Sequence, residues 1–253
     1  MSLAARVVGS GTNKVIMTHD WLVPTGTWSL FTSCLERTAF SWALLDARGY
    51  GTRRDVPGAY TMDELAGDLL ALADQLGWEE FCLVGHSMGA KASQRVALDA
   101  PGRVRKLVGV TPTPAGPVVL TARQREMFTA AVESPQARRE LLDLSTGNRA
   151  SHTWLDRMAD ASMSGSAPAA FAAYARSFTG TDLTADLARQ AVTVPVKVVA
   201  GRHDRAIPAH TLREGFAPLY PDLTWEVLAD AGHYPMHEAP DRLAAALASF
   251  LRD

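Results

Sequence analysis

Short apolar runs and longer amphipathic stretches alternate along most of this chain. Residues 15–19, 41–45, 81–85, 104–111, 194–200 and 224–228 are short, mainly apolar stretches between turn-like segments. Runs of that length and flanking predict buried strands rather than helices. A short leading strand is expected at 5–8. Elsewhere the apolar positions recur every three or four residues. Leu65, Leu69, Leu72 and Leu76 share one stripe and predict a helix over 61–76, opened by a Thr61–Glu64 capping box. Further helices are expected over 28–35, 87–98, 209–216 and 240–251. Strands separated by single helices imply an α/β fold, with a doubly wound, mostly parallel sheet covered on both faces.

The alternation stops near residue 115 and resumes near 191. In between lie four helical patterns, over 121–132, 135–144, 151–163 and 167–178, parted by Thr146-Gly147-Asn148 and Ser164-Gly165-Ser166. The expected organisation is a core of residues 1–114 and 191–253 with a helical insertion, 115–190, over the ligand edge of the sheet. Its large apolar members, such as Phe128, Trp154, Phe171 and Phe178, are mainly packing residues by their spacing, with a minority facing a pocket.

Composition narrows the picture modestly. The 253 residues are 47% hydrophobic and 21% charged, which suits a globular chain with a core of its own. A formal net charge of −2 argues against nucleic acid or an anionic membrane as a partner. Two cysteines, Cys34 and Cys82, make no disulfide framework, and Cys82 is expected to be buried. With no secretory signal and no apolar run of about 18 residues, the cytoplasm is the expected compartment.

Chemistry enters at Gly85-His86-Ser87-Met88-Gly89, directly after the strand over 81–85 and before a helix. A serine at the apex of such a turn is held in a strained conformation with its hydroxyl presented. Alone it is a poor nucleophile and needs a base and an acid. Asp204 and His233 each follow a predicted strand at its C-terminal end, as Ser87 does. Parallel strands bring those ends to one edge, so the three can form a relay. His233 is the expected base, and Asp204 the residue that orients it and stabilises the imidazolium.

With these pieces in order, the chain resembles the α/β-hydrolase superfamily over nearly its whole length. The matching motifs are the Ser87 pentapeptide, Gly201-x-x-Asp204-x-x-x-Pro208, Gly232-His233 and the loop at His19. The resemblance implies an oxyanion hole made by the backbone N–H of Met88 and that of the residue two after His19, which is Trp21. Such loops usually read His-Gly, and this chain has Asp20 at the Gly position. Asp tolerates a positive φ if one is needed, and its carboxylate is expected to point away. Relatives with the acid after the preceding strand would place it at 111–113, where Thr111, Pro112 and Thr113 offer no carboxylate.

Other polar residues have quieter expected roles. His86 packs or caps, His19 braces its loop, and His237 with Glu238 begins the last helix as surface or capping residues. His203 adjoins the acid, and Asp230 stands awkwardly for orienting His233. The resemblance implies a cofactor-independent serine hydrolase, with no metal, acting on a small apolar ester or lactone. Carbon–carbon bond hydrolysis, perhydrolysis and ligand binding on a retained hydrolase fold are the alternatives.

Overall fold

Every predicted strand is present in the computed structural model, which describes residues 3–190 and 192–252. The expected segment ends at residues 1, 191 and 253 lie outside the described residues. The chain runs through β1 (Ala5–Val8), β2 (Asn13–Thr18), a 3-10 turn over Thr25–Trp28, α1 (Ser29–Cys34) and β3 (Phe40–Leu45). It continues through α2 (Met62–Gln75), β4 (Phe81–His86), α3 (Met88–Asp99) and β5 (Val104–Val110). Then come α4 (Ala122–Ala130), α5 (Pro135–Ser145), α6 (His152–Gly165), α7 (Pro168–Gly180) and α8 (Thr184–Gln190). The chain closes with β6 (Val196–Gly201), α9 (Ala209–Phe216), β7 (Leu223–Leu228), α10 (Pro235–Glu238) and α11 (Pro240–Leu251).

The described strands form one sheet in the order β1-β3-β2-β4-β5-β6-β7. β1 is antiparallel to β3, and the other pairs are parallel. Every residue of β3, β4 and β6 is buried, as expected of strands covered on both faces. β7 at the edge is half-exposed. The register matters most at the C-terminal ends. Thr18 pairs with Gly85, His86 with Val110, and Val110 with Val199. The loops after β2, β4, β5 and β6 therefore leave the sheet side by side.

Three expectations need correction. The stretch between β5 and β6 holds a fifth helix, α8, beyond the four expected. It is only seven residues long with Leu187 as its buried residue, too short to show a stripe. Second, the Thr61 side chain does accept from Glu64 N–H, but the Glu64 carboxylate does not complete the box. It takes the N–H groups of Ala59 and Tyr60 and an ion pair with Arg48. Third, His237 and Glu238 end the short α10 and do not begin α11. Pro240 at the start of α11 separates the two helices.

The segment between β5 and β6 is tied to the sheet layer by a buried cation. Lys91 on α3 is fully buried and donates to the carbonyls of Gly116, Phe178 and Thr181 at 2.7–3.0 Å. Burial pushes its pKa down to about 8. Within the segment, buried Arg138 joins helices by donating to Ala131, Val132 and Ser162 carbonyls and to the Ser166 hydroxyl, and it stacks on Phe171. Fully paired in this way, neither cation is an unsatisfied buried charge. Among the described residues no helix is long and apolar enough to cross a membrane.

Candidate active site

Ser87 stands between β4 and α3 with φ +50° and ψ −112°. A non-glycine residue in that region costs on the order of 1–3 kcal/mol, so its surroundings must hold it there. Its N–H donates to Val110 O (3.0 Å), and its carbonyl accepts from Ala90 N–H (3.0 Å) and Thr113 N–H (3.1 Å). The flanking glycines allow the tight turn. A Cβ on Gly85 would lie 2.4 Å from Ala90 Cα, and one on Gly89 would lie 2.7 Å from His19 O. The Ser87 side chain makes no capping hydrogen bond to α3, and the residue is 8% exposed.

Asp204 and His233 meet. His233 Nδ1 lies 2.7 Å from Asp204 Oδ2, and both residues are buried. The other oxygen, Asp204 Oδ1, accepts from the N–H groups of Ala206 (2.8 Å) and Ile207 (2.9 Å). The His233 ring packs 5.1 Å, centroid to centroid, from that of His86, the residue before Ser87. Burial disfavours the His233 imidazolium, but the Asp204 charge and hydrogen bond outweigh it, with Asp20 and Glu238 adding to them. The net pKa lies above the ordinary 6.5.

The loop carrying His233 is held from several sides. Its N–H donates to Ser145 O, 2.9 Å away at the end of α5. Its carbonyl accepts from His86 Nε2 (2.8 Å) and from Thr111 Oγ1 (3.0 Å). Thr111 has φ +40°, an outlier for a β-branched residue, just where β5 ends. Glu238, expected at the surface or in a cap, takes the N–H groups on either side of His233. Its Oε2 accepts from Gly232 (2.9 Å) and its Oε1 from Tyr234 (3.0 Å). A carboxylate five residues after a histidine, within reach of that histidine's own loop, was a signal available in the sequence. The Asp230 carbonyl accepts from Arg149 Nη1 (3.4 Å), and the partner of His233 Nδ1 is Asp204.

A Cβ on Gly201 would sit 1.9 Å from the carbonyl oxygen of Gly232, so the end of β6 and the His233 loop touch backbone to backbone. Gly201→Ala is expected to lower stability by about 1–3 kcal/mol, as overpacking does. Thermal melting checks this, and a melt unchanged from wild type would contradict the close approach.

The loop after β2 holds His19, Asp20 and Trp21, all buried. His19 braces it as expected: Nε2 accepts from Ala47 N–H (3.0 Å), leaving Nδ1 to donate to Asp20 O (2.6 Å). Asp20 does not need the conformational tolerance invoked for it, since it is absent from the positive-φ residues. Its carboxylate turns to its own loop, accepting from Leu22 N–H (2.9 Å) and Val23 N–H (3.2 Å), and to Tyr234 Oη (2.9 Å). The Trp21 indole donates to Phe171 O (2.8 Å), and its rings lie 4.3–4.4 Å from those of Phe171 and Phe128. Tyr50 Oη donates to Trp21 O. The Trp21 backbone N–H has no protein acceptor among the described residues. The N–H of Met88 is the first of α3, one of the donors that a helix start leaves unpaired. Among the described residues no cluster of His, Cys, Asp and Glu is arranged to hold a metal.

Comparison with known proteins sets this geometry in a family. The sequence matches the profile of the alpha/beta hydrolase family over residues 15–246. The dihydrolipoyllysine-residue acetyltransferase component of the acetoin cleaving system of Cupriavidus necator is 28% identical over 251 residues, 96% of this chain and 64% of that protein. The pimeloyl-acyl-carrier-protein methyl ester esterase of Pseudoalteromonas atlantica is 34% identical over 114 residues, 45% of this chain and 42% of that one. This chain therefore covers less than two thirds of the length of either relative. A thermophilic esterase from Thermogutta terrifontis superposes with a TM-score of 0.83 at 26% identity, over 98% of this chain and 92% of the other. Because the profile match takes in β3 to β7, most of β2 and the helices between β5 and β6, the chain belongs to the alpha/beta hydrolase family.

Proposed function

We propose that this chain is a cofactor-independent serine hydrolase of small, apolar carboxylic esters or lactones, acting through Ser87, His233 and Asp204. The observation that carries the reading is the 2.7 Å His233–Asp204 pair packed against His86, the residue that precedes Ser87, itself held at φ +50°. His233 takes the Ser87 proton as Oγ attacks the substrate carbonyl. The Met88 and Trp21 N–H groups receive the oxyanion of the tetrahedral intermediate. That intermediate collapses to an acyl-enzyme, and the leaving alkoxide departs with the proton from His233. Water then adds to the acyl-enzyme with His233 again as base, releasing the acid and restoring Ser87.

Residues 115–190 act in this reading as a cap. Lys91 anchors the cap beneath, and the aromatic rings of Phe128, Phe171 and Phe178 around Trp21 favour an apolar acyl group beside the oxyanion donors. The esterase names of two relatives support ester chemistry over the other reactions this fold hosts.

The pH dependence tests the reading directly. His233 acts as base only when neutral, and its pKa is raised, so activity falls as pH drops through a midpoint above 6.5. On a panel of short p-nitrophenyl esters and lactones we expect turnover with that acid limb. A profile flat from about pH 5 to 8 removes His233 as base, and no turnover across the panel removes the ester reading.

A further inference from the structure

Asp20 occupies a place where a buried charge needs a reason. It is 1% exposed, and no Lys or Arg is among its hydrogen-bond or ion-pair partners among the described residues. Its carboxylate instead bridges two loops 214 residues apart in sequence. On one side it holds Leu22 and Val23 N–H, the two residues that follow Trp21. On the other it receives the hydroxyl of Tyr234, the residue after His233. Tyr234 is fully buried, and burial, with Asp20 beside it, holds its pKa well above 10.0, so it remains the donor.

His86 adds a third link. Its Nε2 donates to the His233 carbonyl, so in neutral His86 the proton sits on Nε2 and Nδ1 is a bare lone pair. That Nδ1 has no hydrogen-bond partner and lies 3.7 Å from Asp20 Oδ1. Burial, and then the neighbouring His233, push the His86 pKa well below its usual value, so the imidazole stays neutral. Asp20 is thus not neutralised by His86. Its charge is left to act on the other imidazole in reach, that of His233.

We infer that Asp20 is a positioning residue: its carboxylate locks the Trp21 loop to the His233 loop through Tyr234, and its charge supports the His233 imidazolium that Asp204 orients. The inference rests on the proposed hydrolase reading for its catalytic consequence, while the electrostatic half stands independently of it. A glycine at this position would supply neither the bridge nor the charge.

Five ionisable groups surround His233, of which the carboxylates of Asp204, Asp20 and Glu238 raise its pKa while His86 and Tyr234 stay neutral. They are Asp204 on the loop after β6, Asp20 on the loop after β2, Glu238 at the end of α10, His86 at the end of β4 and Tyr234 beside it. His237, on α10, is pushed down to about 4 by burial and stays neutral through the working range. Removing the Asp20 charge takes away a contribution that favours the protonated ring. The His233 midpoint must then move to lower pH.

The test uses Asp20→Asn and Tyr234→Phe in the full chain. The His233 midpoint is read from histidine Cε1–H NMR signals, assigned by the signal missing in His233→Gln. For Asp20→Asn we expect a shift to lower pH, with kcat on p-nitrophenyl butyrate down ~10–100-fold and KM within about twofold. Tyr234→Phe breaks the bridge but keeps the charge, so kcat falls about tenfold without that downward shift. An unmoved midpoint in folded Asp20→Asn overturns the electrostatic role, even if activity is lost. Wild-type kcat in either folded variant overturns the bridge. Should Asp20→Asn fail to fold, Tyr234→Phe decides the bridge, and the midpoint is read with Asp20→Gly, which also removes the charge; a shift to lower pH upholds the electrostatic role and an unmoved midpoint overturns it. If wild type hydrolyses no ester, the hydrolase reading falls, and the NMR midpoint alone upholds or overturns the charge acting on His233.

Discussion

Ser87→Ala is expected to lower ester turnover by a factor on the order of 10⁶, with the folded protein intact. Wild type is expected to take a fluorophosphonate probe covalently at Ser87, and the same change is expected to abolish that labelling. Two structural facts make this a clean experiment. The Ser87 side chain caps nothing, so removing Oγ withdraws no hydrogen bond from α3. The strained φ of +50° is held by the backbone bonds to Val110, Ala90 and Thr113, which alanine keeps. Thermal melting should therefore match wild type while chemistry disappears. Persistent turnover in the variant, or a folded wild type that takes no label, would remove Ser87 as the nucleophile.

Asp204→Asn is expected to cost about 10⁴ in kcat through the wrong imidazole tautomer. The reason lies in what holds the carboxylate. Oδ1 is occupied by the N–H groups of Ala206 and Ile207, both of which need an acceptor. In the asparagine variant the amide oxygen stays on those two donors, and the NH₂ must face His233 Nδ1. That nitrogen becomes the acceptor, the ring proton moves to Nε2, and Nε2 can no longer take the Ser87 proton. Loss of the negative charge also moves the His233 midpoint to lower pH, since the Asp204 charge is a main cause that raises it. Steady-state kinetics and the rate of fluorophosphonate labelling should fall together. A variant with kcat within tenfold of wild type would show that Asp204 does not set the tautomer.

Much of the architecture was legible because it is written in local patterns. The strands over 81–86 and 196–201 are mainly apolar, broken only by His86 and Lys197, and every residue of both is buried, as expected of strands covered on both faces. Helices α9 and α11 match their sequence-predicted limits because each begins beside a proline and carries a clear apolar stripe. α8 was missed because seven residues with Leu187 as the buried side chain hold less than two turns of pattern. Glu64 was misread in part because a capping box and a clamp on Ala59 and Tyr60 look alike in sequence.

The candidate site divides along the same line. The candidates Ser87, Asp204 and His233 could be singled out because each lies in the loop just after a strand, and parallel strands carry such positions to one edge. The role of Glu238 was within reach of the sequence, and that of Thr111 was not, because a positive φ in a β-branched residue is forced by neighbours and not by composition. Asp20 was seen only as a departure from a motif. Its partner Tyr234 is 214 residues away, and no periodicity encodes that contact.

The sequence by itself determined the sheet, its helical insertion and the three residues set at the strand ends, because burial of apolar runs and strand polarity are local properties that survive without neighbours. Only the tertiary structure decided how those residues are held: which carbonyls take the charge of Lys91, which groups grip the His233 loop, and where the Asp20 carboxylate turns. Those outcomes depend on hydrogen bonds between segments far apart in the chain, and a buried polar atom takes whichever partner the packed fold brings within reach.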